Sequence, residues 1–170
     1  MILLSYFFDS RSMNIVSATF EHLEILAELF DAYRVFYQQP SDVEGARAFL
    51  RDRLPQTESV VFLATPEQNG TISGMGFTQL YPSFSSVSMR RLWILNDLYV
   101  DADARKRGVA KALMNHAKLY ALSTNAVRIE LATWVANLPA QRLYESLNYE
   151  RADTAANADD AFYHYSLSLA

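Results

Sequence analysis

Apolar residues change their spacing several times along this chain, and each change marks an element. Strand-like "NIVSATF" (14–20) comes first, and Thr19 is placed to cap a helix, since its hydroxyl can accept a first-turn N–H. Leu23, Leu26, Ala27, Phe30, Tyr33 and Tyr37 then recur at helical spacing. "QQPSDVEGARAFLRDRL" (38–54) predicts a second helix: Ser41 and Glu44 are spaced as a capping box, and Pro55 stops the helix near Leu54. The period then shortens. "SVVFLAT" (59–65) is β-branched and strand-like, "PEQNG" is a turn, and "TISGMGFTQLY" (71–81) is a longer strand whose Gly74 and Gly76 imply a bulge or a close neighbour. "PSFSSVS" (82–88) reads as a loop, and "SMRRLWILNDLYV" (88–100) is strongly strand-like.

Helical spacing returns from about Arg107, with Val109, Leu113, Ala117 and Tyr120 as the buried stripe. A strand follows at 126–134. "NLPAQRLYESL" (137–147) is a short helix with Pro139 in its first turn, and "YERA" and "AFYHYSLSL" are the last strands. The order is βααβββαβαββ. Strands joined by short turns pair antiparallel, whereas the crossover from 88 to 134 implies a parallel pair. The expected fold is α/β (α+β): one domain, with a mixed, mostly antiparallel sheet of about six or seven strands flanked by about four helices.

Composition narrows the chemistry. The chain has 170 residues, is 51 % hydrophobic and carries a formal net charge of −4, which fits one globular domain and argues against a nucleic-acid partner. Without cysteine it can form no disulfide, thiolate metal site or cysteine acyl-enzyme. His22, His116 and His164 lack zinc-site spacing, so no metal is expected. No apolar run reaches the roughly 18 residues of a spanning helix. "MILLSYFF" lacks the flanks of a signal peptide, so residues 1–12 read as an N-terminal extension before a domain at 13–170, in a cytoplasmic protein without membrane partners.

One stretch raises a sharper question. "RKRGVA" puts Arg105, Lys106 and Arg107 before Gly108, between a strand ending at Val100 and a helix. Helix starts carry unpaired N–H groups and partial positive charge, and they suit phosphates. A glycine lets backbone come close to a ligand. Neither GxxxxGK[ST] nor GxGxxG is present. The six residues by themselves allow a pyrophosphate cradle or a basic, solvated helix start.

In context, 92–149 resembles the GNAT superfamily of acetyl-CoA-dependent N-acetyltransferases. "RKRGVA" is similar to its Gln/Arg-x-x-Gly-x-Gly/Ala motif. "NLPAQRLY" carries a second mark in Asn137, Ala140, Leu143 and Tyr144. The resemblance implies a GNAT fold and acetyl transfer to a primary amine. It implies that Leu98, Tyr99 and Val100 line the pantetheine arm, the first and last through backbone groups. Arg105, Lys106, Arg107, Gly108, Val109, Ala110 and Lys111 would surround the pyrophosphate, and Asn137 would touch the cofactor. Tyr144 would be the general acid near its sulfur.

The chain looks closest to the spermidine/spermine and fungal histone/polyamine-type enzymes, with Asn96 where the polyamine enzymes have a glutamate and Asp97 retained. Asp97 is then expected to contact the amine or relay its proton, with Tyr81 and Asn96 beside the substrate. Phe84 and "YRVFYQQ" (33–39) could also line that side. Strand alternation places Asp97 and Tyr99 on one face and Asn96, Leu98 and Val100 on the other. Where the helix at 137–147 ends, Asn148 stands in for the family's usual glycine, and Asn tolerates the left-handed conformation needed there. A homodimer is implied, its contact expected at C-terminal edge strands such as "AFYHYSLSL". The alternative is a non-catalytic acyl-CoA-binding module on the same fold.

Overall fold

The computed structural model describes residues 13–56, 58–67, 73–152 and 161–169. The N-terminal extension and part of the "PEQNG" turn lie outside the described residues. The elements run β1 (Met13–Ser17), α1 (Leu23–Phe36), α2 (Val43–Arg53), β2 (Val60–Pro66), β3 (Gly76–Ser85), β4 (Arg90–Val100), α3 (Val109–Ser123), β5 (Arg128–Trp134), α4 (Leu138–Ser146), β6 (Glu150–Arg151) and β7 (Phe162–Ser168). This is the expected order. They build a seven-stranded sheet ordered β1-β2-β3-β4-β5-β7-β6, antiparallel except where β4 meets β5.

Period-two alternation in β2 sorts the core into two layers. Val61 and Leu63 face α1 and α2, packing with Leu26, Phe30 and Leu50. Phe62 and Ala64 face α3, packing with Leu113, Met114 and Ala117.

Several local expectations shift. Thr19 caps a 3₁₀ turn at Phe20–His22 that leads into α1, and its N–H donates to His22 Nδ1 at 3.1 Å. Ser41 does not cap α2. Asp42 does, accepting Gly45 N–H at 2.8 Å. Ser41 Oγ donates instead to buried Asp31 of α1 at 2.6 Å, because that carboxylate also takes the Asp42 N–H and draws the loop inward. "PSFS" (82–85) continues β3, and only 86–89 form the turn. β2 ends at Val60 opposite Leu80, so the missing N–H of Pro82 falls where β3 has an open edge. Strand β7 is not an edge: it lies between β5 and β6.

The close-neighbour expectation for Gly76 holds, since a Cβ there would sit 2.4 Å from the Tyr99 carbonyl oxygen. Asn148 does adopt the left-handed conformation, with φ 63°, and Tyr149 N–H closes onto the Tyr144 carbonyl at 3.0 Å.

One irregularity opens the sheet. Gln79 pairs with Asp97 but Leu80 pairs with Leu95, so Asn96 is an extra residue, a β-bulge. The bulge reverses the parity of β4. Trp93 and Leu95 before it, and Leu98 and Val100 after it, all pack on the α3 side. The β4–β5 ladder covers only Trp93 and Ile94. Beyond Leu95 the two strands part, and a cleft opens between them.

Candidate active site

The cleft encloses about 510 Å³ and is lined from both faces of the sheet. Its floor is Leu95, Asn96, Leu98, Tyr99 and Val100 of β4 with Ala132 of β5. Because β4 has left β5 by this point, its backbone edge from Leu98 to Val100 has no ladder partner on the cleft side. Such an edge can hydrogen-bond an extended amide-bearing chain.

The start of α3 forms one end. Gly108 is its N-cap at φ 83°, and no side chain caps the helix. The N–H groups of the first turn therefore lack intrahelical partners. A Cβ on Gly108 would meet nothing within 4 Å, so the glycine is required by its left-handed backbone and not by crowding within the chain. Lys106 is also left-handed, at φ 61°. Arg105 and Lys106 line the cleft, with Arg105 Nε donating to the Val100 carbonyl at 3.2 Å. Ala110 adds its small side chain to the same wall. Val109 is in the core and can offer only its backbone, while the Lys111 side chain borders a separate groove with Asn148 and Tyr149.

Helix α4 forms the facing wall. Asn137 caps it, accepting Ala140 N–H at 3.3 Å, and also lines the cleft. That capping role was not anticipated, although an Asn before an apolar short helix is a cap signal. Pro139, Ala140 and Leu143 add apolar surface beside Tyr144. Tyr144 borders the cleft at 6 % exposure, its ring 6.1 Å from Tyr149 and 5.6 Å from Tyr165. Burial, then the nearby Tyr37 and Tyr165 hydroxyls, pushes its pKa up, so the phenol keeps its proton at neutral pH.

The C-terminal end of α1 closes the third side with Tyr33, Phe36 and Tyr37. Tyr37 packs edge-on to Trp134 at 4.7 Å. "YRVFYQQ" thus does reach the cleft, whereas Phe84 stacks under Arg91 and is exposed. Asp97 is 4 % exposed and lies behind the lining. It accepts Asn96 Nδ2 at 3.2 Å and is met by the Tyr33 hydroxyl; burial outweighs both contacts and raises its pKa above the usual carboxylate value. Tyr81 also stands outside the lining, close enough to Asp97 for that charge to raise its own pKa further after burial. Among the described residues, no His/Cys/Asp/Glu cluster could hold a metal, and no helix is long and apolar enough to cross a membrane.

The sequence profile of the Acetyltransferase (GNAT) family matches residues 24–149, a span that includes the cleft-lining parts of β4, α3 and α4. The chain belongs to the GNAT acetyltransferase family. An uncharacterized N-acetyltransferase of Bacillus subtilis (strain 168), YhfO, is 45 % identical over 157 residues, which are 92 % of this chain and 98 % of that one. A probable acetyltransferase of known crystal structure is 49 % identical, covers 81 % of this chain and 89 % of its own, and superposes with a TM-score of 0.76. Arabidopsis thaliana NAA60 in complex with acetyl-CoA shares the fold alone: 19 % identity, a TM-score of 0.69, and coverage of 91 % of this chain and 96 % of that one. As a GNAT acetyltransferase the chain is an enzyme that uses acetyl-CoA.

Proposed function

We propose that the protein transfers acetyl from acetyl-CoA to a primary amine by direct attack in a ternary complex, on a small, polyamine-like or lysine-like acceptor. One observation carries the reading: the open edge of β4, the uncapped start of α3 and the Tyr144 phenol all border the same cleft. The residues fit the cosubstrate. First-turn amides from Gly108 to Lys111, with Arg105, Lys106 and Arg107 around them, would hold the diphosphate. Backbone groups of Leu98 and Val100, with Tyr99 between them, would hold the pantetheine amides. Asn137 would use the amide nitrogen that its cap leaves over. When bound, acetyl-CoA supplies an acyl thioester.

The chain's own residues then manage two protons. An alkyl ammonium of pKa about 10.4 is only about 0.1 % neutral near pH 7.4, so the site must take a proton from it. The aromatic wall of Tyr33, Phe36 and Tyr37 favours the neutral amine by excluding water. Asp97 is the carboxylate near this wall, and Asn96, which borders the cleft, has no basic site. Tyr144 donates its proton to the departing sulfur. Tyr81 stands behind Asp97 on the acceptor side.

Among the described residues lining the cleft there is no carboxylate, which favours a single ammonium over a chain of several. The resemblance to polyamine enzymes pulls the other way, and a panel decides it. Thiol release from acetyl-CoA is followed with alkyl amines, polyamines, amino acids, aminoglycosides and lysine peptides. Saturable release with one class supports the proposal and names the acceptor. Calorimetric acetyl-CoA binding with no release across the panel would instead favour a non-catalytic acyl-CoA-binding module. A homodimer remains part of the proposal, tested by light scattering.

A further inference from the structure

Asp97 cannot be reached from the cleft. Tyr33, Tyr37 and Asn96 form the lining in front of it, and it is 4 % exposed. Yet it connects to the cleft through hydroxyls. The Tyr33 hydroxyl is close enough to the Asp97 carboxylate for the two to perturb each other's ionisation, and the Tyr33 ring meets Tyr37 edge-on at 5.0 Å and Tyr99, two residues from Asp97 on β4, at 6.4 Å. Tyr37 in turn lies close enough to Tyr144 to influence its ionisation.

Behind Asp97 there is a place for a proton. Gln79 stands directly opposite it in the β3–β4 register, which brings two Cβ atoms to about 5 Å. Its Nε2 donates to Ser59 Oγ at 2.8 Å, while its Oε1 is buried without a partner. An unpaired buried carbonyl is costly. A protonated Asp97, opposite it in the register, would carry a donor for it.

We infer that Tyr33 is the group that deprotonates the acceptor, with Asp97 acting only through it. The inference rests on the acetyl-transfer reading. The substrate ammonium gives one proton to the Tyr33 oxygen as the Tyr33 hydroxyl proton passes to an Asp97 oxygen. A neutral amine, an intact phenol and a carboxylic acid result, and the charges of ammonium and carboxylate cancel. Tyr37 packs edge-on against the Tyr33 ring, and Asn96 Nδ2 fixes the receiving carboxylate. Among the described residues, the titratable and charged groups around Asp97 are Tyr33 from α1, Tyr37 just after it, Tyr81 from β3 and, beyond Tyr81, Arg53 from α2.

The test uses the full chain with an amine that the panel has shown to react. Tyr33→Phe and Asp97→Asn should each lower kcat about 100-fold and leave the KM for acetyl-CoA unchanged. Each should also remove the break that levels the acidic limb of the pH profile, so that the residual rate keeps climbing with hydroxide. The double variant should be no slower than either single one, because the two residues act as one unit. Calorimetric acetyl-CoA binding certifies that each variant is folded; should Asp97→Asn fail that check, Tyr33→Phe alone decides. Wild-type kcat with an unchanged acidic limb in Tyr33→Phe overturns the relay, and so do losses that multiply in the double variant. A wild-type protein that turns over no amine sinks the acetyl-transfer reading and the relay with it, an outcome distinct from a loss confined to the variants.

Discussion

Helices α3 and α4 both begin at the cleft, but they begin differently. Asn137 supplies a side-chain oxygen to the first turn of α4. Gly108 supplies only its carbonyl, which accepts the Ala112 N–H at 3.0 Å, and with no side-chain cap the first-turn amides of α3 stay bare behind a left-handed residue. The start of α2 resembles α4, with Asp42 as its cap. Where the chain needs only a stable helix it spends a polar side chain on the end. At the start of α3, where the proposed diphosphate would sit, it leaves the amides open. Under the proposed function, the contrast separates diphosphate binding, on α3, from proton transfer, on the Tyr144 face of α4.

The contrast breaks first at Gly108. Gly108→Glu places a carboxylate where a diphosphate should sit, and acetyl-CoA affinity by calorimetry should fall about 1000-fold, the several kcal/mol of like-charge contact. The left-handed backbone adds only about 1–2 kcal/mol of lost stability, so thermal unfolding should show a folded protein. Tyr144→Phe should do the reverse, lowering kcat about 100-fold while acetyl-CoA binding stays unchanged.

Ser41→Ala tests a helix start with no part in catalysis. It removes a hydrogen bond to a buried carboxylate, and urea unfolding at neutral pH should show a loss of about 1.5 kcal/mol with activity intact. Asp31 is held below its ordinary pKa first by the Ser41 hydroxyl, with the Asp42 N–H and Arg34 assisting against burial. Its contribution is therefore full above the unfolded pKa of about 3.9 and lost as pH falls through the lower folded value, so the gap between wild type and Ser41→Ala should close in acid. Asn137→Ala should cost about 1 kcal/mol of stability as a lost cap, with a rise in the KM for acetyl-CoA. Arg105→Ala should have the smallest effect, raising that KM about threefold at low salt and less in high salt, as for an exposed cation.

Much of this arrangement was legible in the sequence. The changes of period gave all eleven elements in order, because each layer buries one face and the pattern records it. Asn148 could be read as left-handed because few residues tolerate that backbone. The bulge at Asn96 could not be read. It adds one residue to β4 without any glycine or proline, yet it moves Leu98 and Val100 onto the face of Leu95 and parts the strands. The reach of Tyr33 and Tyr37 across the cleft depends on where α1 lies over that split, which is a tertiary fact. The loop reading of 82–88 failed at 82–85, where a proline is tolerated because its missing N–H matters only where a neighbouring strand needs it. Ser41 looked like a cap because its spacing suited one, but buried Asp31, ten residues back in the chain, competed for its hydroxyl and won.

The central claim is that the bare start of α3 receives the diphosphate. A crystal structure with coenzyme A tests it most directly. Diphosphate oxygens are expected about 3 Å from backbone nitrogens between Gly108 and Lys111, with the sulfur beside the Tyr144 hydroxyl. A diphosphate bound elsewhere, with those nitrogens facing only water, would contradict it.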